Sequence, residues 1–145
     1  MSEVKAVTEQ HIQAPAATVR AALADYSTVR PKILTEHYRD FRVLEGGTGN
    51  GTVAAWTLQA TKKRSREVVA DVDITSTGDV VERDRNSTLV TTYTVTSHSD
   101  TVSHVRVETT WQGAGGIGGF FERTFAPKGL DRIHSAVLTN LDREL

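Results

Sequence analysis

The sequence predicts an α+β fold: a curved antiparallel sheet of seven strands around a long C-terminal helix, with two short helices after the first strand. Three observations predict it. The 145 residues include 20 Thr and 17 Val, a β-branched bias that favours sheet. Between residues 36 and 112 the chain breaks into extended segments joined by short turns, and short connections imply antiparallel neighbours. The chain closes on one apolar stripe at helical spacing. Two early helices and one late one argue against an alternating, doubly wound parallel sheet.

Taken in order, Val4–Gln13 reads as the first strand and Ala14-Pro15 punctuates it. Pro15 suits the first position of a helix, where its missing N–H costs nothing. Val19, Ala22, Leu23 and Tyr26 follow at helical spacing. A second helical turn is expected over Ser27–Arg30, capped by Ser27, because Arg30-Pro31 disfavours uninterrupted helix. Six strands come next: Glu36–Leu44, Thr52–Ala60, Ser65–Ile74, Val80–Asp84, Leu89–Thr96 and Val102–Gln112. The breaks between them are rich in Gly, Ser, Asn and Asp. Alternation places Ala54, Trp56 and Leu58 on one inward face, and Arg66, Val68, Ala70, Val72 and Ile74 on another. Val105, Val107 and Trp111 form a third inward set, and Leu89, Tyr93 and Val95 a weaker fourth. Leu130, Ile133, Val137, Leu141 and Leu145 make the final stripe, with Pro127 near its start and Phe120–Phe125 as an earlier turn or short helix.

Composition bounds the function. A net charge of -1, from 17 basic and 18 acidic residues, excludes a generally basic nucleic-acid binder. The absence of cysteine excludes a disulfide scaffold, a thiol nucleophile, a thiolate zinc site and an iron–sulfur cluster. No apolar run reaches the roughly 20 residues that span a bilayer, and Met1-Ser-Glu-Val-Lys carries no signal-peptide pattern. The expectation is one cytoplasmic domain over residues 1–145, without nucleic-acid partners or stable membrane insertion.

Few motifs carry chemistry. Gly46-Gly47-Thr48-Gly49-Asn50-Gly51 lacks the Gly-Lys-Ser/Thr ending of a phosphate loop and precedes a strand, so it reads as a flexible hairpin loop. Gly113-Ala-Gly-Gly-Ile-Gly118 spells a dinucleotide fingerprint, but no further strand follows to complete the unit, so it reads as a hinge into the last helix. The histidines His11, His37, His98, His104 and His134 form no metal-ligand spacing and are expected to face solvent, with His98 and His104 flanking one hairpin turn. Neither a metal nor a cofactor is expected. Lys62-Lys63-Arg64 reads as a solvated turn. No Gly-x-Ser-x-Gly nucleophile motif and no close pair of inward carboxylates stands out.

Inward parity and the terminal stripe together give a ligand-lining set: Trp56, Arg66, Val68, Val72, Tyr93, Val107, Trp111, Ile133 and Val137. Aromatic residues with a polar handle suit an amphipathic ligand, and also serve ordinary cores. An inward Arg66 requires an anionic or polar partner, or snorkels to water.

The order Glu9-Gln-His-Ile-Gln-Ala-Pro15, Leu23-Ala-Asp-Tyr26, Val43-Leu-Glu-Gly-Gly-Thr-Gly-Asn-Gly-Thr52, Trp111, Phe125-Ala-Pro127 and Leu130-Asp-Arg-Ile133 resembles the START-related SRPBCC superfamily. That group includes the birch-pollen allergen-like proteins and the polyketide cyclase/dehydrase and lipid transport family. The resemblance covers nearly the whole chain and implies the helix-grip fold around a cavity. Three functions stay open. The first is binding or transport of a small hydrophobic molecule, lipid-like, aromatic or polyketide-like. The second is a polyketide aromatase/cyclase or dehydratase, for which Arg66, Tyr93 and Trp56 are the candidates parity offers. The third is an interaction module whose cavity is filled by side chains. Converging inward polar groups favour the enzyme, an open apolar cavity the carrier, and a filled interior the module.

Overall fold

The computed structural model describes residues 3–61, 64–112 and 127–145. Seven strands form one antiparallel sheet: β1 (Glu3–Ile12), β2 (Tyr38–Glu45), β3 (Val53–Thr61), β4 (Arg64–Ile74), β5 (Val80–Asp84), β6 (Val90–Ser97) and β7 (Ser103–Gln112). Their spatial order is β1-β7-β6-β5-β4-β3-β2. Every sequential pair from β2 to β7 is a hairpin neighbour, and β1 closes on β7 with an unbroken register from Glu3↔Gln112 to Ile12↔Ser103. This is the helix-grip α+β architecture.

Between β1 and β2 lie α1 (Ala16–Ala24) and α2 (Arg30–Ile33). Pro15 stands one place earlier than expected, as the N-cap of α1, and its carbonyl accepts the Val19 N–H at 3.1 Å. Val19, Ala22 and Leu23 bury the inward face of α1. The second helix falls later than Ser27–Arg30. Residues 26–29 are a turn in which the Asp25 carboxylate, rather than Ser27, accepts the backbone N–H groups of Ser27 and Thr28. Pro31 lies in the first turn of α2, where no N–H is needed, so it starts the helix and does not end it.

The glycine-rich loop is tied down. The Gly47 carbonyl accepts the N–H groups of Tyr26 and Ser27, and the Gly49 N–H donates to Ala24 at 3.0 Å. Gly47 has φ 146°, and a Cβ there would meet the Ser27 hydroxyl at 2.2 Å, so glycine alone permits this approach. The expected flexible hairpin is therefore a clamp on the end of α1, and it fixes Tyr26.

The long helix α3 (Pro127–Glu144) crosses the concave face. It is tied to β1 by Thr8 with Asp131, to the residue after β1 by the Gln13 N–H to Asp142, and to α2 by the Asn140 amide to the Ile33 carbonyl. Its buried face is Leu130, Ile133, His134, Val137, Leu138 and Leu141. Leu138 replaces Leu145, which is 41% exposed one residue past the helix end. These side chains close a core with Ala54, Val68, Val72, Val95, Val105, Val107 and Trp111. The glycine run 113–118, the segment 120–125 and the side chains of Lys62, Lys63 and Arg64 lie outside the described residues.

Candidate functional site

A buried polar cluster interrupts this core. Its centre is Arg30, the first residue of α2, whose side chain is 2% exposed. Its Nε donates to the Leu23 carbonyl at 2.8 Å, one terminal nitrogen to the Tyr26 hydroxyl at 3.1 Å, and the other to the Tyr93 hydroxyl at 3.4 Å. That last nitrogen also lies 3.2 Å from Oε2 of Glu82. The guanidinium carbon sits over the Tyr26 ring, 4.4 Å from its centroid, and over the Tyr93 ring, 4.5 Å from its centroid, so the cation meets two aromatic faces. Tyr26 in turn donates to the same Glu82 oxygen at 2.6 Å. Burial disfavours the guanidinium charge, but the Tyr26 and Tyr93 hydroxyls and Glu82 more than offset it, and the pKa of Arg30 rises. Burial also lifts the phenols of Tyr26, Tyr38 and Tyr93, the last to about 12, so all three are neutral at pH 7.

Beside the cluster lies a cavity of about 30 Å³. Its apolar wall is Tyr38, Trp56, Leu58, Leu89 and Leu130, and its polar wall is Glu82, Thr91, Tyr93, Thr109 and His134. The Thr91 and Thr109 hydroxyls bond each other at 2.8 Å. His134, on α3, is buried, and its Nδ1 has no hydrogen-bond partner. Burial, with help from the Arg30 charge, lowers its pKa to about 4, so the ring is neutral at pH 7. The cavity wall thus combines a carboxylate, a neutral imidazole and a neutral phenol.

Of the residues singled out by parity, Trp56 and Tyr93 line this cavity. Val68, Val72, Val107, Trp111, Ile133 and Val137 are buried in the surrounding core. Arg66 is half-buried opposite Leu58 on β3, with its Nε buried and unpartnered, and does not touch this cavity. Sequence reasoning missed Arg30, Tyr26 as a polar group, Glu82, Tyr38 and His134. Glu82 shares strand parity with Val80, so its inward direction was readable from alternation. A buried carboxylate therefore does face the interior. His134 is one residue beyond Ile133 on the apolar stripe, and its burial corrects the expectation that the histidines face solvent. His98 and His104 flank their hairpin, and each lies against the ring of His11, at 4.6 and 5.5 Å between centroids. Among the described residues no group of three or more His, Asp or Glu is placed to hold a metal ion, and no helix is long and apolar enough to cross a membrane.

The model of the family described as polyketide cyclase / dehydrase and lipid transport matches residues 3–145. A comparison with curated proteins finds no match. Among solved structures, the KanY protein, determined by NMR in solution, is 53% identical, with 99% of this chain and 98% of that one covered and a TM-score of 0.88. The Zhui aromatase/cyclase from Streptomyces sp. R1128 is 12% identical, with 99% and 97% covered and a TM-score of 0.72. The major latex-like protein 151 of Panax ginseng is 12% identical, with 98% and 97% covered and a TM-score of 0.75. The last two share the fold. With nearly its whole length matched and its helix-grip sheet in place, the chain belongs to the polyketide cyclase/dehydrase and lipid transport family, within the START-related SRPBCC superfamily.

Proposed function

We propose that the protein binds a small lipid-like or aromatic molecule between α3 and the sheet. The apolar part of the molecule lies against Trp56, Leu58, Leu89 and Leu130, and its polar end meets Tyr93, Glu82 and His134. The other parity residues, Val68, Val72, Val107, Trp111, Ile133 and Val137, surround that space, and Arg66 stands near its Leu58 end. The observation that carries this reading is the buried Nδ1 of His134, which lacks a partner and lies on the wall of a cavity that also holds a carboxylate. An unsatisfied buried polar atom costs about 1–3 kcal/mol, a penalty that a purely structural core avoids by placing Leu or Phe there. The space is about 30 Å³, the room of one or two waters and so close to a filled interior, and this reading therefore requires the wall to move outward around a bound molecule.

Catalysis of the aromatase/cyclase or dehydratase type is the second reading. It is favoured by the same three groups, since a carboxylate, a neutral imidazole and a phenol on one wall are suited to moving protons. An apolar fluorescent probe tests the first reading. Binding at micromolar concentration that shifts Trp emission, and that weakens in Trp56→Ala or Tyr93→Ala with folding intact, supports it. Absence of any apolar probe binding to the wild type overturns it in favour of an interaction module with a filled interior.

A further inference from the structure

The chemistry of the cavity wall selects one kind of polar end. Among the described residues no Lys or Arg lines the cavity. Arg30 is close by, but it does not line the cavity: three of its N–H groups bond Leu23, Tyr26 and Tyr93, its charge is paired with Glu82, and its guanidinium carbon lies over both tyrosine rings. The hydrogen bond that Glu82 accepts from Tyr26 and its ion pair with Arg30 both fall on Oε2, and among the described residues no hydrogen bond falls on Oε1. A carboxylate entering this space meets the charge of Glu82 with no free cation to balance it, a desolvated like-charge contact. The bond between Thr91 and Thr109 occupies one of their two hydroxyl hydrogens, and among the described residues on this wall the buried atom without a partner is Nδ1 of His134.

His134 narrows the choice further. If its Nδ1 carries no proton it requires a donor, and if it carries one it requires an acceptor. A hydroxyl answers either tautomer, whereas a carbonyl answers only the protonated one. A hydroxyl also donates to a carboxylate oxygen. Resting on the binding reading above, we infer that the cavity takes a neutral, hydroxyl-bearing ligand, an aromatic or aliphatic alcohol or phenol, and discriminates against carboxylates, free fatty acids included.

Three small probes of one skeleton separate the possibilities: 4-ethylphenol, ethylbenzene and 4-ethylbenzoate, titrated at pH 7.5 and followed by backbone amide shifts around Trp56, Tyr93 and His134. The expected order is 4-ethylphenol, then ethylbenzene, then 4-ethylbenzoate, with the phenol about tenfold tighter than the hydrocarbon, the ratio one satisfied hydrogen bond supplies. His134→Phe, if folded, is expected to erase the advantage of the phenol over the hydrocarbon while keeping hydrocarbon binding. The wild-type order stands as a test without it. Binding of 4-ethylbenzoate as tightly as 4-ethylphenol, or of ethylbenzene as tightly as the phenol, overturns the inference and leaves the binding reading intact. Binding of none of the three overturns both.

Discussion

Glu82 and Arg83 are neighbours on β5, and each belongs to an ion pair with a nitrogen–oxygen distance of 3.2 Å. Glu82 points into the sheet's concave side toward Arg30, where the two side chains are 8% and 2% exposed. Arg83 points outward to Asp73, where both are more than half exposed. Equal distances therefore describe two different interactions. Outside, water screens the charges and holding two long side chains costs entropy, so the pair contributes little. Inside, desolvation offsets most of the attraction, and the pair persists only because Tyr26, Tyr93 and the Leu23 carbonyl satisfy the remaining groups. An apolar replacement is often no less stable than such a cluster. Its presence in a largely apolar core is best understood by what it presents to the cavity beside it.

The contrast can be broken most forcefully from the inside. Arg30→Met leaves Glu82 buried without a cation and is expected to cost roughly 3–5 kcal/mol in urea denaturation. Arg30→Met combined with Glu82→Gln should recover much of that loss, because the stranded charge is gone. A double variant no better than the single one would show that the pair is not coupled. Leu141→Ala sets the scale of the purely apolar interior. Leu141 is fully buried on α3, and its truncation should cost roughly 2–5 kcal/mol. A loss below about 0.5 kcal/mol, the surface scale, would place the wrong face of α3 against the sheet.

His134 sharpens the comparison through pH. Its pKa falls from 6.5 to about 4 on folding, so the unfolded chain binds its proton more readily than the folded one. Its contribution to stability is whole above pH 6.5 and is lost as pH falls toward 4, up to about 3 kcal/mol over that window. The difference in stability between wild type and His134→Phe, measured from pH 7.5 to pH 4, isolates this loss from that of the carboxylates. A difference that does not change with pH would contradict the burial of the ring. The outward pair gives the smallest effect: Asp73→Asn should leave the midpoint within about 0.5 kcal/mol of wild type.

The same inside–outside distinction explains what sequence patterns reveal. Strand limits were legible to within two residues because alternation persists along β3, β4 and β7, and turn chemistry marks their ends. Tyr38 was not legible as a cavity residue. The register of β2 slips between Arg39 and Arg42, where Asp40 adopts φ 55°, so Tyr38 packs inward with Phe41 and Val43 although their numbers differ in parity. Arg30 was hidden for another reason. A helix of four residues has no period to read, and the burial of an arginine there depends on Tyr26, Tyr93 and Glu82 arriving from three other elements. Periodicity shows which way a residue points on its own element. It does not show which distant groups meet there.

The central claim, that the polar wall of the cavity receives the hydroxyl of a ligand, is tested most directly at His134 itself. Side-chain ¹⁵N spectra of the histidines, recorded at pH 7 with increasing 4-ethylphenol, report the ring nitrogens one by one. A neutral imidazole should appear for His134 before addition, and its Nδ1 resonance should move with saturation as the hydroxyl fills the missing bond. A resonance that stays fixed at a ligand concentration that saturates the backbone shifts would contradict the claim.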